Sequence, residues 1–487
     1  MEFLNGINSC FLDVYIFAPF ICAILIGALF FLKNPIHIRC LAKIFFTVQF
    51  FFSSFLLMGV EETKFSVLGV DFLFDKISSV FLFLLAFLFL LFLYFSKTFI
   101  QKMHRLFYSV FILVYALLNV VILADSIIGS LMSVFWFLLI FYFLSESFTK
   151  SKERKKIKYQ LFFDISYFVI VTMLIGWDFA RYFVLNHIDF NYSNIVDNLY
   201  HINDLSIMLA FLGFLILSFR FLGFIPIDIK TIKNSSIVNP FIVIFNNICS
   251  LLIGVTLLIK TYLSFNYLFY QEQEKIVVVL LINLVYFICL TFRKDNILKI
   301  ALCVAPILLI SAMFVLFLFD NSGLAAFIVA FLSIMVSLVF FYFIVVFLIS
   351  KMQTLNLEEF KKIPNTSRNV RFFTILSILN LAKMPLLSMF SVFIIIFALI
   401  FSTNYDGVIL NFSPYIILFV NFVLSLNLFN LIYKILIEPQ ENLKKEIAFS
   451  NHQIIPMILC VFVVVILTFC FQSFFVEFID YINLESF

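Results

Sequence analysis

Apolar residues in this chain come in long runs instead of alternating at a helical or strand period. Fourteen such runs are present, at about 11–32, 41–60, 77–96, 106–123, 127–145, 158–177, 205–224, 238–260, 276–292, 298–319, 322–350, 372–401, 409–437 and 453–476. Each approaches the roughly 20 residues that a helix needs to cross a hydrocarbon core of about 30 Å. In lipid a segment must satisfy its own backbone hydrogen bonds, so every run is predicted to be a helix. The polar gaps between them are short. The longest, 178–204, is acidic and polar and too small for a soluble domain. The expected fold is an all-α polytopic membrane protein of about 14 transmembrane helices, forming one membrane domain over 1–487.

The polar positions are ordered as well. Of the 32 Lys and Arg, 26 lie in or beside the gaps after odd-numbered spans. The gaps after even-numbered spans hold only Lys64, Lys76, Arg181, Lys260 and Lys275, and Lys383 lies inside span 12. By the positive-inside rule the odd gaps are cytoplasmic, so both termini are expected on the outer (periplasmic) side. The tail agrees, since Glu477, Asp480 and Glu485 have no basic neighbour. The densest basic run, Lys150 to Lys158, reads as an orientation signal beside anionic lipid. Met1–Asn8 has no basic region, so the first span is expected to be retained and not a signal peptide.

Composition narrows the function classes. Hydrophobic residues make up 64% and charged residues 12%, against about a quarter charged in soluble domains. The mean hydropathy is +1.15. The 74 Phe against 2 Trp suit lipid-facing filler. The eight cysteines include no Cys-x-x-Cys and mostly lie in spans, as small buried hydrophobes do. The five histidines are scattered, so no metal site is expected. No glycine-rich phosphate loop, dinucleotide fingerprint or nucleophile motif occurs, so neither a catalytic centre nor a cofactor is expected in this chain. The net charge of +4 comes from the cytoplasmic gaps and implies no nucleic acid.

Few charges remain at membrane depth, where they are costly and usually paired or functional. Span 7 carries Arg220 six residues before Pro226, followed by Asp228 and Lys230. Span 12 carries Lys383 two residues before Pro385. Lys383 lies about 16 Å into its helix, too deep to reach the interface easily. Arg220 is close enough to a boundary to snorkel. Asp164 lies about 9 Å inside span 6, within reach of the basic run at 150–158. Asp125, in a very short gap, reads as merely outward-facing. Prolines that break helices at matching positions of two halves point to a transport site. Spans 7 and 12 are five apart and run in opposite directions. They suggest two inverted five-helix repeats, at about 106–260 and 276–437, preceded by spans 1–3 (about 11–96) and followed by a final span (about 453–476). Pro306 also sits in mid-span with no charge near it, so it reads as a simple kink.

These features resemble the antiporter-like membrane subunits of respiratory complex I, of group 4 hydrogenases and of multisubunit sodium/proton antiporters. Residues 220–240, RFLGFIPIDIKTIKNSSIVNP, are similar to the family stretch in which Lys and Pro-x-His precede a polar turn ending in proline. PLLSMF at 385–390 resembles Pro-Pro-Leu-Ser-Gly-Phe. RKDNILKIALC at 293–303 resembles the approach to helix 10, and GVDFLFDKISSVFLFL at 69–84 the approach to helix 3. The resemblance covers roughly 65–435. It implies helices 7 and 12 broken in the membrane, and an ion pathway with Lys383, Arg220, Asp228, Lys299 and Asp164 as candidates and Pro226 and Pro385 at the breaks.

The departures are as informative. Span 5 lacks the family's membrane-depth glutamate and has only Glu146, at its cytoplasmic end. The helix 7 lysine position falls on Phe221, the helix 8 relay near Ile253, and the terminal charge of helix 12 on Phe393. Span 11 carries no His or Lys. Arginine does not relay a proton by releasing it, whereas a lysine in an apolar setting is able to. The resemblance therefore implies a membrane-arm subunit of a complex I-like proton- or sodium-translocating oxidoreductase or hydrogenase complex, with a degenerate ion route. Its partners would be other membrane subunits and the bilayer of an energy-coupling, bacterial inner membrane. The alternatives are a non-conducting scaffold subunit of such a complex and a stand-alone multi-helix transporter. The near absence of charge at membrane depth in the first four spans argues against the transporter.

Overall fold

A computed structural model describes residues 2–28, 35–58, 63–67, 69–97, 99–100, 104–149, 154–224, 239–292, 296–318, 321–357, 367–402, 408–437 and 448–485. The chain divides into two compact units. The first comprises Met1–Leu222 with Ile237–Phe265, the second Gly223–Ser236 with Asn266–Phe487.

In the first unit, helices α1 (Glu2–Ala28) and α2 (Pro35–Met58) lead into a hairpin of β1 (Thr63–Val67) and β2 (Val70–Phe74). Then follow α3 (Lys76–Ser96), α4 (His104–Leu123), α5 (Ile127–Ser147), α6 (Arg154–Leu185), the short α7 (Tyr192–Asn198), α8 (Asp204–Phe221) and α9 (Pro240–Ser264). α1 and α2 both pack on α4, α6 on α8, and α9 on α4, α5, α7 and α8. Local chemistry sets the helix starts. Asp75 Oδ1 accepts from Ser78 N at 2.7 Å while Ser78 Oγ accepts from Asp75 N at 2.9 Å, a capping box opening α3. Ser126 caps α5, and Asn239 with Pro240 in the first turn starts α9.

The hairpin was not expected. It pairs Thr63 with Phe74 through Val67 with Val70, and Gly69 takes φ +78° at its turn. Backbone bonds tie it to neighbouring gaps. Asp125 N donates to Asp71 O at 2.9 Å and Tyr192 N to Asp125 O at 2.9 Å. The hairpin, the α4–α5 turn and α7 therefore form one cap, in which Asp125 is buried and not merely outward-facing.

The second unit contains α10 (Asn266–Gln271), α11 (Gln273–Phe292), α12 (Ile297–Met313), α13 (Asn321–Met352), α14 (Arg368–Leu381), α15 (Ser388–Ser402), α16 (Val408–Ile432) and α17 (Asn451–Glu485). Its core is α12 and α13, whose apolar stretches are each 94% buried, against 39% for that of α16. α13 contacts α12, α14, α15 and α17. Since lipid and protein interior are both apolar, a central helix is hydrophobic all round and no polar stripe marks its facing.

Among the described residues, twelve helices are long and apolar enough to cross a membrane. The first predicted span is present as a shorter apolar stretch, Leu12–Ala28, and the twelfth as two pieces, α14 and α15. α12 passes through Pro306 without a break, as expected of a kink.

Candidate functional site

The predicted break in span 12 is present, and Lys383 is part of its geometry. α14 ends at Leu381, where Lys383 N donates to Asn380 O at 3.0 Å and Met384 N to Leu379 O at 3.1 Å. This 5→2 and 6→1 pair is a Schellman ending, and its left-handed position is usually glycine. Here that position is Lys383, with φ +59°, and Leu386 has φ +70°. Pro385 lies between them, and α15 resumes at Ser388. Two non-glycine residues in the left-handed region store strain of order 1–3 kcal/mol each, and such strain concentrates at functional sites.

The turn aims the lysine inward. Lys383 Nζ donates to Asn421 Oδ1 at 2.6 Å and lies 4.3 Å from the centroid of the Phe393 ring. Among the described residues no carboxylate pairs with it. A part-buried ammonium with no carboxylate beside it still pays for lost hydration. One charge-assisted hydrogen bond, a cation–π contact of up to about 2 kcal/mol and the C-terminal dipole of α14 offset part of that cost.

Neutral polar side chains hold this arrangement in place. Asn421 is almost fully buried, and its Nδ2 donates to Ser311 Oγ of α12 at 2.8 Å and to Ile417 O at 2.8 Å. Ser425 Oγ is shared between Ala382 O at 3.1 Å and Asn421 O at 2.9 Å, which ties α16 to the break. On the other side Asn380, fully buried, donates Nδ2 to Ser337 Oγ of α13 at 2.8 Å. Its Oδ1 accepts from Ser388 Oγ and Met389 N, both at 3.3 Å. Asn380 therefore joins the end of α14 to the start of α15. Ser333 Oγ, buried one turn from Ser337, has no hydrogen-bond partner among the described residues.

The other candidates fall elsewhere. Arg220 on α8 and Asp164 on α6 form an ion pair in the first unit, Nη2 to Oδ1 at 2.6 Å. Asp164 thus pairs across to α8, since α6 and α8 pack side by side. Of that run, Lys158 faces Glu146 at 3.8 Å. α8 ends at Phe221, and Gly223 takes φ +79° just beyond it. Pro226 and Asp228 lie outside the described residues. Lys299 sits in the first turn of α12, twelve residues or about 18 Å from Ser311, and takes no part in the Lys383 network.

No family model matches the sequence, and no curated protein matches it. The fold, by contrast, matches solved structures. One is a chain of respiratory complex I from Thermus thermophilus with bound NADH (12% identity, TM-score 0.79), where the match covers 96% of this chain and 97% of that one. Another is a chain of the membrane-bound sulfane sulfur reductase, an archaeal respiratory membrane complex (12% identity, TM-score 0.77, 96% of each chain). A third is a chain of the Mrp complex from Dietzia sp. DQ12-45-1b (13% identity, TM-score 0.80, 99% of this chain and 97% of that one). The fold is therefore shared with chains of these three membrane complexes. Within this fold, the sequence alone pointed to Lys383 and the break at Pro385 but not to Asn380, Asn421, Ser311 and Ser337. Their only signal was an Asn three residues before the lysine and a run of Asn and Ser along span 13.

Proposed function

We propose that the chain is an ion-translocating membrane-arm subunit of a complex I-like, hydrogenase-like or antiporter complex. In the second unit Lys383 carries the charged step. The observation that supports this most strongly is a lysine with no counter-ion among the described residues, held at a strained helix break by neutral Asn and Ser. A lysine kept only for structure would be stabilised by a carboxylate, whereas an amide and a ring hold its charge without fixing it. Phe393 stands where the family resemblance places the terminal charge of helix 12, and the Lys383 ammonium lies over its ring. The charge has thus moved along the chain while staying close in space. Redox centres and cofactors belong to partner chains, and the membrane is the bacterial inner membrane with both termini outside.

A second reading, a scaffold subunit that fills its place without conducting, draws on the first unit. There the charges at the candidate positions close on each other as the Arg220–Asp164 pair, and Phe221 and Ile253 replace the relay positions that the resemblance implies. Lys383→Ala separates the two. In inverted membrane vesicles containing the assembled complex, the first reading expects ion flux to collapse with assembly intact. Unchanged flux would leave the scaffold.

A further inference from the structure

The capped end of the first unit holds a separate cluster. Lys260, in the last two turns of the otherwise uncharged α9, donates from Nζ to Val121 O at 2.8 Å and Ala124 O at 2.5 Å. These carbonyls belong to the C-terminal end of α4. The ammonium lies 5.4 Å from the centroid of the Tyr192 ring. Asp125 is only 6% exposed, and its carboxylate accepts from Ser193 N at 3.1 Å and Ser193 Oγ at 2.6 Å. Lys260, Asp125, Tyr192 and Ser193, with the α3 cap Asp75, line a cavity of about 180 Å³ whose further polar wall includes Ser78 and Ser264. At about 30 Å³ per molecule it has room for several waters.

As a bare cap for α4, Lys260 would use two of its three donors on the last carbonyls and gain from the helix dipole. That role needs neither a cavity nor two carboxylates beside it. The charged and titratable groups facing Lys260 are Asp75 from α3, Asp125 from the α4–α5 turn and Tyr192 from α7. Burial pushes the Tyr192 phenol up, so it stays protonated and does not compete. Asp71 of β2 is engaged by Asn191 Nδ2 at 2.9 Å. The ammonium is thus the group placed to exchange a proton with the cavity, and the two carboxylates draw the proton back.

We propose that Lys260 is a second proton-exchanging residue of this chain, at the end of the first unit that the charge pattern assigns to the outside. One Nζ–H bond breaks, and the proton passes to a cavity water as hydronium. The electron pair of that bond stays on nitrogen as the amine's lone pair, and its two remaining N–H groups keep donating to the α4 carbonyls. Reprotonation reverses the step, and no electrons move. This inference rests on the ion-translocating reading above.

Lys260→Arg tests it, because arginine keeps a permanent cation and donors for both carbonyls, and the cavity has room for its added atoms, but it does not release a proton. Proton flux would be followed with a pH-sensitive dye in vesicles containing the assembled complex, with the unfolding temperature measured beside it. The expected result is flux reduced about tenfold or more at an unchanged unfolding temperature, since proton relays contribute roughly 10²–10⁴-fold. Wild-type flux in Lys260→Arg would overturn the proposal and leave Lys260 as a cap. If Lys260→Arg fails to fold, Asp125→Asn is read instead. Reduced flux with the fold kept supports the proposal, and wild-type flux overturns it. Wild-type protein that conducts nothing would sink the ion-translocating reading and this inference together, before any substitution is compared.

Discussion

At Lys383 stability and function pull in opposite directions. The left-handed backbone favours glycine there, and the part-buried charge has no counter-ion among the described residues. Lys383→Gly is therefore expected to stabilise the protein by about 1–2 kcal/mol through relief of strain and of charge burial, while abolishing flux. The check is the thermal midpoint in detergent beside flux in vesicles. A lowered midpoint would mean that the Asn421 and Phe393 contacts outweigh the strain. Asn421→Leu should act the other way, leaving the ammonium and Ser311 without their partner and costing about 1–3 kcal/mol. Lys383 was legible in the sequence because one charge in an apolar run is a signal carried by a single residue. Asn380, Asn421, Ser311 and Ser337 were not. Asn and Ser are common in apolar helices, and their meaning depends on which helices meet.

Among the elements, the runs of apolar residues were legible and their breaks only partly. Pro385 marks a real interruption while Pro306 rides inside α12, so proline alone does not decide. What differs is the neighbouring backbone, with two left-handed residues beside Pro385 and Asn380 bonded across the gap. Asn380→Leu removes the acceptor for Met389 N and Ser388 Oγ and is expected to cost about 1–3 kcal/mol. The local effect would be read as faster hydrogen exchange at the start of α15. Unchanged exchange there would show that the break is held by packing. The hairpin escaped sequence reading because five-residue strands in a polar gap leave no trace in a hydropathy pattern. The Arg220–Asp164 pair joins α6 to α8 and yields a thermodynamic test. Asp164→Leu alone takes this carboxylate from the Arg220 guanidinium and should destabilise by about 2 kcal/mol, less than the 3–5 of a fully buried pair. Adding Arg220→Leu should restore most of the loss, and a double variant as unstable as the single one would contradict this.

At the scale of the whole molecule, orientation is the property most open to a direct check. By the positive-inside rule the charge pattern leads us to expect both termini outside. With the eight native cysteines replaced by alanine, a cysteine introduced at Ser486 should therefore react with an impermeant maleimide in intact cells, and labelling only after lysis would invert the assignment. The second unit also holds a consequence for the bilayer itself. α13 has 32 residues and is about 48 Å long, far beyond the roughly 30 Å of hydrocarbon. A lipid-facing helix of that length would have to tilt steeply or thicken the membrane around it. α13 escapes that constraint because neighbouring helices, not acyl chains, surround 94% of its apolar stretch. Hydrophobic mismatch is therefore felt at more exposed helices such as α16, while the helix that carries Ser333 and Ser337 is insulated from it.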